Sequence, residues 1–78
     1  MKTYILPVEI EEEADGRWSA EVPALPGCAV WGYTKEEALK AIKDGAQAYI
    51  ETLIEQGLAV PAAREIEVKE APVVSVTV

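Results

Sequence analysis

One stretch of the chain alone carries a helical period. Between Thr34 and Gly57, Ala38, Leu39, Ile42, Ala46, Tyr49, Ile50, Leu53 and Ile54 recur at steps of three and four, while Lys40, Lys43, Asp44, Gln47, Glu51 and Glu55 fill the opposite face. Thr34 followed by Glu37 is a capping box: the hydroxyl accepts from the N3 amide, and the carboxylate reaches back to the N-cap amide. Glu36 and Glu37 also suit the positive end of the helix dipole. Gly57 suits the left-handed residue that ends a helix. A lone amphipathic helix has nothing of its own to bury its stripe against, so this one is expected to lie on a sheet. Gly45 within it costs about 1 kcal/mol against Ala, which a close contact with a strand would rationalise.

The rest of the chain supplies that sheet. Residues 3–12 alternate, with Tyr4, Leu6, Val8 and Ile10 on one side and Thr3, Ile5, Pro7, Glu9 and Glu11 on the other. They read as one strand in which Pro7 donates no ladder hydrogen bond, which places it at an edge, at a bulge or with that side unpaired. Ala14-Asp15-Gly16 is a turn signal. Beyond it Trp18, Ala20 and Val22 share one face and Arg17, Ser19 and Glu21 the other, so an antiparallel hairpin is expected with Glu11, Glu12 and Glu13 crowding its tip. Pro23-Ala24-Leu25-Pro26-Gly27 breaks the pattern. The segment 28–33 reads as a third strand in which Gly32 marks a bulge or a close backbone approach. After the helix, alternation predicts a strand near 73–78 and is compatible with another near 65–69. The expected fold is α+β in the order β-β-β-α-β: a small antiparallel or mixed sheet with one helix on a face, formed by residues 1–78 as a single domain.

Composition narrows the chemistry. The 78 residues include no His, no Asn, no Phe and one Cys, and the net charge is −7. Imidazole bases and ligands, Ser-His-Asp and Cys-His nucleophiles, thiolate zinc clusters and internal disulfides are excluded within one chain. No cofactor or metal is expected, nor any enzymatic activity. The seven Lys and Arg residues are scattered along an acidic chain. That argues against direct nucleic-acid binding and favours a basic protein partner. The longest uncharged stretch, 22–34, holds two prolines and falls short of the roughly 18 apolar residues of a membrane span. With no export signal and no disulfide pair, the expected compartment is the cytoplasm. A domain this small buries only about 60% of its unfolded surface, so oligomerisation is expected.

Four features in fixed order carry a family resemblance. They are the hairpin Asp15-Gly16 with Trp18-Ser19-Ala20-Glu21-Val22, then Pro23-Ala24-Leu25-Pro26-Gly27-Cys28, then Gly32-Tyr33-Thr34-Lys35-Glu36-Glu37-Ala38-Leu39, and the helix end Tyr49-Ile50-Glu51-Thr52-Leu53-Ile54-Glu55-Gln56-Gly57. Over residues 3–61 the chain resembles the HicB-like antitoxin family. The resemblance implies a degenerate ribonuclease-H-like fold. It also implies a role as an antitoxin that covers the active surface of a small basic mRNA-cleaving toxin of the HicA kind. Many members add a C-terminal DNA-binding domain. This chain ends at Val78 with a strand-like tail and no basic helix, so no operator binding is expected.

Each candidate residue has a plain reading beside the functional one. Glu9, Glu11, Glu12, Glu13 and Asp15 read first as a solvated hairpin tip. A metal-dependent nuclease would need carboxylates converging from separate elements, and a consecutive run splays across a strand. Cys28 reads as a buried structural thiol. Trp18 belongs to the core, whereas Trp31 and Tyr33 are either core or the anchor of a docking surface. In the antitoxin role the expected partner-binding residues are Glu9, Glu11 and Glu21 with the hairpin tip, and Trp31 or Tyr33 as apolar anchor. The uncharged strand 73–78 is either paired inside the sheet or an edge that joins another copy in a homo-oligomer. The alternative function is a solitary self-associating domain with a structural or small-ligand role and no toxin partner.

Overall fold

The computed structural model describes residues 3–61 and 73–78. Its elements are β1 (Thr3–Pro7), β2 (Glu9–Glu12), β3 (Trp18–Glu21), β4 (Ala29–Gly32), α1 (Lys35–Glu55) and β5 (Val73–Thr77). Every described pairing is antiparallel. The α+β architecture with one helix on a small sheet is therefore as the periodicities predict. The alternation at 65–69 lies outside the described residues.

The first strand departs from expectation. The single strand expected over residues 3–12 is two, broken at Val8, and the two halves have different partners. β1 pairs with β5, from Thr3 opposite Thr77 to Pro7 opposite Val73. β2 pairs with β3, from Glu9 opposite Glu21 to Glu12 opposite Trp18. Pro7, which has no amide hydrogen to donate, is the last residue of β1 and stands opposite Val73, the first residue of β5. Val8 is buried at the joint. The result is a two-stranded ribbon β1–β5 and a three-stranded sheet β2–β3–β4. At the hairpin tip the Glu13 amide donates to the Arg17 carbonyl at 2.7 Å, and Gly16 takes the positive φ of 88° that the turn demands.

The core lies between these strands and the helix. Leu6, Ala20, Val74 and Val76 of the strands, with Val22 just beyond β3, pack in one core with Ala38, Ile42, Ala46 and Ile50 of α1. Burying each large aliphatic side chain stabilises the fold by about 1.5–3 kcal/mol. Ile54, expected on the same stripe, is exposed, because the last turn of α1 runs past the edge of the core. That end closes in a Schellman motif. The Leu58 amide donates to the Leu53 carbonyl at 2.9 Å and the Gly57 amide to the Ile54 carbonyl at 3.0 Å. The segment 23–27 is a plug: Leu25 is buried, and the Tyr49 hydroxyl donates to the Pro26 carbonyl at 2.9 Å. The Cys28 thiol is buried among apolar side chains, and that burial pushes its pKa up, consistent with a structural role.

The start of α1 sets the distance between helix and sheet. The Thr34 hydroxyl accepts from the Glu37 amide at 3.1 Å, as the capping box requires. The returning Glu37 carboxylate differs from expectation: it accepts from the Tyr33 amide at 2.9 Å, one residue before the N-cap, because β4 runs straight into the helix. Gly32 is packed so closely that a Cβ there would stand 2.6 Å from the Ala38 backbone nitrogen. Gly45 differs. A Cβ there would meet only the Val30 side chain at an ordinary 3.7 Å, so no close contact demands glycine. Gly32→Ala is expected to cost about 1–3 kcal/mol through overpacking. Gly45→Ala is expected to be neutral or to stabilise by up to about 1 kcal/mol. Urea unfolding monitored by circular dichroism separates the two, and equal effects would contradict this packing.

Candidate partner-binding face

The face of β2–β3–β4 turned away from the helix is built in rows. Register places Glu9, Glu21 and Ala29 in one row and Glu11, Ser19 and Trp31 in the next. Strand alternation is the cause: Ile10, Ala20 and Val30 take the core side, and their neighbours take the open side. Glu9, Glu11, Glu13, Glu21 and Trp31 line one shallow hollow of about 260 Å³, with Ser19 and Ala29 in the same lining. Four of the five predicted residues, Glu9, Glu11, Glu21 and Trp31, are thus brought together. Tyr33 lies in an adjoining hollow with Arg17, Gly32 and Glu37, and Trp31 borders both. Trp31 is 56% exposed and Tyr33 81%, which resolves the choice left open for both in favour of the surface. Trp18 packs against the core as expected.

The electrostatics of this face are uneven. Glu9 and Glu21 stand directly opposite each other, a like-charge pairing that destabilises a sheet. Among the described residues neither forms an ion pair, and neither does Glu11. Arg17 is the one cation lining either hollow. Its Nε donates to Asp15 Oδ2 at 2.7 Å, and its guanidinium sits 4.9 Å from the centre of the Trp31 ring. Arg17 was not singled out in the sequence, although its position two residues before Ser19 already placed it on this face. The cluster Asp15–Arg17–Trp31 holds the indole in place beside the carboxylates. Among the described residues no three His, Cys, Asp or Glu side chains converge on a common metal position. The consecutive glutamates splay to opposite faces, with Glu11 in the open rows and Glu12 opposite Trp18 on the other side.

Asp15 is held below the ordinary carboxylate range, first by the Arg17 backbone amide donating at 3.0 Å and then by the Arg17 side chain. A depressed carboxylate contributes stability above its unfolded pKa and loses it as pH falls through the folded value. The turn is therefore expected to loosen only below the usual Asp range. In Arg17→Ala the Asp15 pKa should rise part of the way back, since the backbone amide remains. Carboxyl-carbon NMR titration checks this, and an unmoved Asp15 would mean that the side-chain pair contributes nothing.

Strands backed by one helix, with an acidic and aromatic face turned away from it, make a small α+β domain. Residues 6–73 match the family described as HicB-like antitoxin of bacterial toxin–antitoxin systems, and the chain belongs to that family. A UPF0150 protein of Thermoplasma acidophilum is 46% identical over 54 residues, covering 69% of this chain and 78% of the relative. One from Synechocystis is 41% identical over 58 residues, covering 74% of this chain and 73% of the relative. Among solved structures, the N-terminal domain of the Burkholderia pseudomallei antitoxin HicB superposes with a TM-score of 0.71 at 26% identity, covering 95% of this chain and 96% of that domain. The chain spans 64% of the longer HicB chain from the same organism, at TM-score 0.68 and 26% identity. A chain of a HicA3 and HicB3 toxin–antitoxin complex shares the fold at TM-score 0.62 and 20% identity, covering 94% of this chain and 95% of that one. Among the described residues no helix is long and apolar enough to cross a membrane.

Proposed function

We propose that this protein is an antitoxin that binds a small basic mRNA-cleaving toxin of the HicA kind and covers the toxin's RNA-contacting surface. It works in the cytoplasm as a binding module with no chemistry of its own. The observation that carries this reading is the gathering of Glu9, Glu11 and Glu21 around exposed Trp31 on the face the helix leaves open. Membership in an antitoxin family supports it, as does the likeness in fold to a chain from a HicA3 and HicB3 complex. A nuclease surface that grips RNA phosphates must present Lys and Arg, and a carboxylate face with an aromatic anchor is its electrostatic complement. The like-charge pair Glu9–Glu21 is then a cost to the free protein that a cationic partner relieves.

Co-expression with a neighbouring basic reading frame, followed by isothermal titration at low and high salt, tests the proposal. A stoichiometric complex that weakens as salt rises is expected. Trp31→Ala should weaken binding about 30-fold or more if the indole is a central anchor. Glu11→Lys should slow association more than it speeds dissociation. Retention of no basic partner at low salt would overturn the reading, as would substrate turnover abolished by a single carboxylate substitution. A stable self-associated protein without any toxin partner would instead favour the solitary domain.

A further inference from the structure

We propose that Arg17 is a positioning residue for the partner-binding face: clamped by Asp15, it holds the Trp31 indole in the orientation that the partner meets. The role rests on the antitoxin reading for its partner, whereas the clamp belongs to the free protein. The clamp starts in the turn. The Glu13 amide donates to the Arg17 carbonyl at 2.7 Å, and the Gly16 amide to the Glu13 carbonyl at 3.0 Å. Asp15 then turns both of its carboxylate oxygens to one residue. Oδ1 accepts from the Arg17 amide at 3.0 Å, and Oδ2 accepts from the Arg17 Nε at 2.7 Å. Backbone and side chain of Arg17 are thus fixed from the same carboxylate. Both side chains of the pair are half exposed, and an ion pair of that kind adds little to global stability. Its effect is local: it aims the guanidinium.

Register supplies the target. Ser19 stands opposite Trp31, so Arg17, two residues before Ser19, is the diagonal neighbour of the indole on the same side. Its guanidinium lies over the Trp31 ring at 4.9 Å from the centre, inside the about 6 Å reach of a cation–π contact. The serine side chain is too short to brace an indole, and Trp31 is not among the side chains packed in the core. An indole without a brace loses rotamer freedom when a partner closes on it, and holding it beforehand removes that cost. Charge separates this role from a direct contact. Arg17 is absent from the lining of the hollow formed by Glu9, Glu11, Glu13 and Glu21, whereas Trp31 borders both that hollow and the one Arg17 shares with Tyr33. A cation on a face that receives a basic partner is repulsive. On charge alone, removing Arg17 tightens the complex. As a brace, its removal weakens the complex, so the two roles predict opposite signs.

Two measurements on the full chain test this. In the free protein, nitrogen-15 relaxation of the Trp31 indole N–H, assigned by its loss in Trp31→Phe, reports the order of the ring. The wild-type indole should be as ordered as the backbone, and Arg17→Ala should loosen it. Asp15→Asn keeps an acceptor for the Arg17 amide and loses the charge pair, so it should also loosen the indole while circular dichroism shows the fold unchanged. With the basic partner retained on co-expression, isothermal titration should show Arg17→Ala binding about three- to tenfold more weakly. Arg17→Lys should be weakened nearly as much, since lysine keeps the charge and lacks both the plane and the Nε donor. In a Trp31→Ala background, Arg17→Ala should no longer weaken binding. An indole equally ordered in wild type and Arg17→Ala would overturn the proposal. So would tighter binding by Arg17→Ala, full binding by Arg17→Lys, or an undiminished loss in the Trp31→Ala background. A wild type that binds no basic partner, with the indole still loosened by Arg17→Ala, would sink the antitoxin reading and leave the clamp standing.

Discussion

One helix covers one face of the strands, and this single burial event organises the molecule. Ala38, Ile42, Ala46 and Ile50 form a stripe narrow enough to lie low on the sheet. Gly32 lets the first turn come down almost onto the backbone of β4. Small residues on both sides remove the spacer that side chains would otherwise impose, and the apolar rows from Leu6 to Val76 are closed off from water as a result. Among the described residues no second helix covers the other face.

The side turned away from the helix is not uniform, because the first strand divides at Val8: β1 lies beside β5, and the chain continues from Glu9 beside β3. The ribbon on one side of this joint is neutral and partly apolar. The three-stranded sheet on the other side is acidic and carries Trp31. The described residues thereby present two surfaces of different chemistry, one acidic and aromatic and one uncharged.

The short motifs turn out to serve packing more than chemistry. In Pro23 to Cys28 the prolines and Gly27 bend the chain so that Leu25 and Cys28 drop into the core, and Tyr49 fastens the bend from the helix. Thr34 and Glu37 cap the helix, and Glu37 also secures the strand that leads into it. The residues left free for recognition lie between these motifs, at positions set by alternation along β2, β3 and β4.

The helix, its cap, its glycine stop and the hairpin were legible along the chain, because each depends on contacts within a few residues of itself. So was the parity that puts Glu9 with Glu11, and Glu21 with Arg17 and Ser19, since a strand repeats every two residues, whereas the side taken by Trp31 was left open. What linear order leaves open is which strand lies beside which, and with what register. That choice decided that residues 3–12 break at Val8, that Glu9 confronts Glu21, and that Arg17 reaches across to Trp31. It also decided which glycine was obligatory. Gly32 and Gly45 look alike as interruptions of a regular pattern, and only the distance across the helix–sheet interface distinguishes them. Such distances come from the sum of every side chain between two elements, a quantity no local stretch of sequence contains.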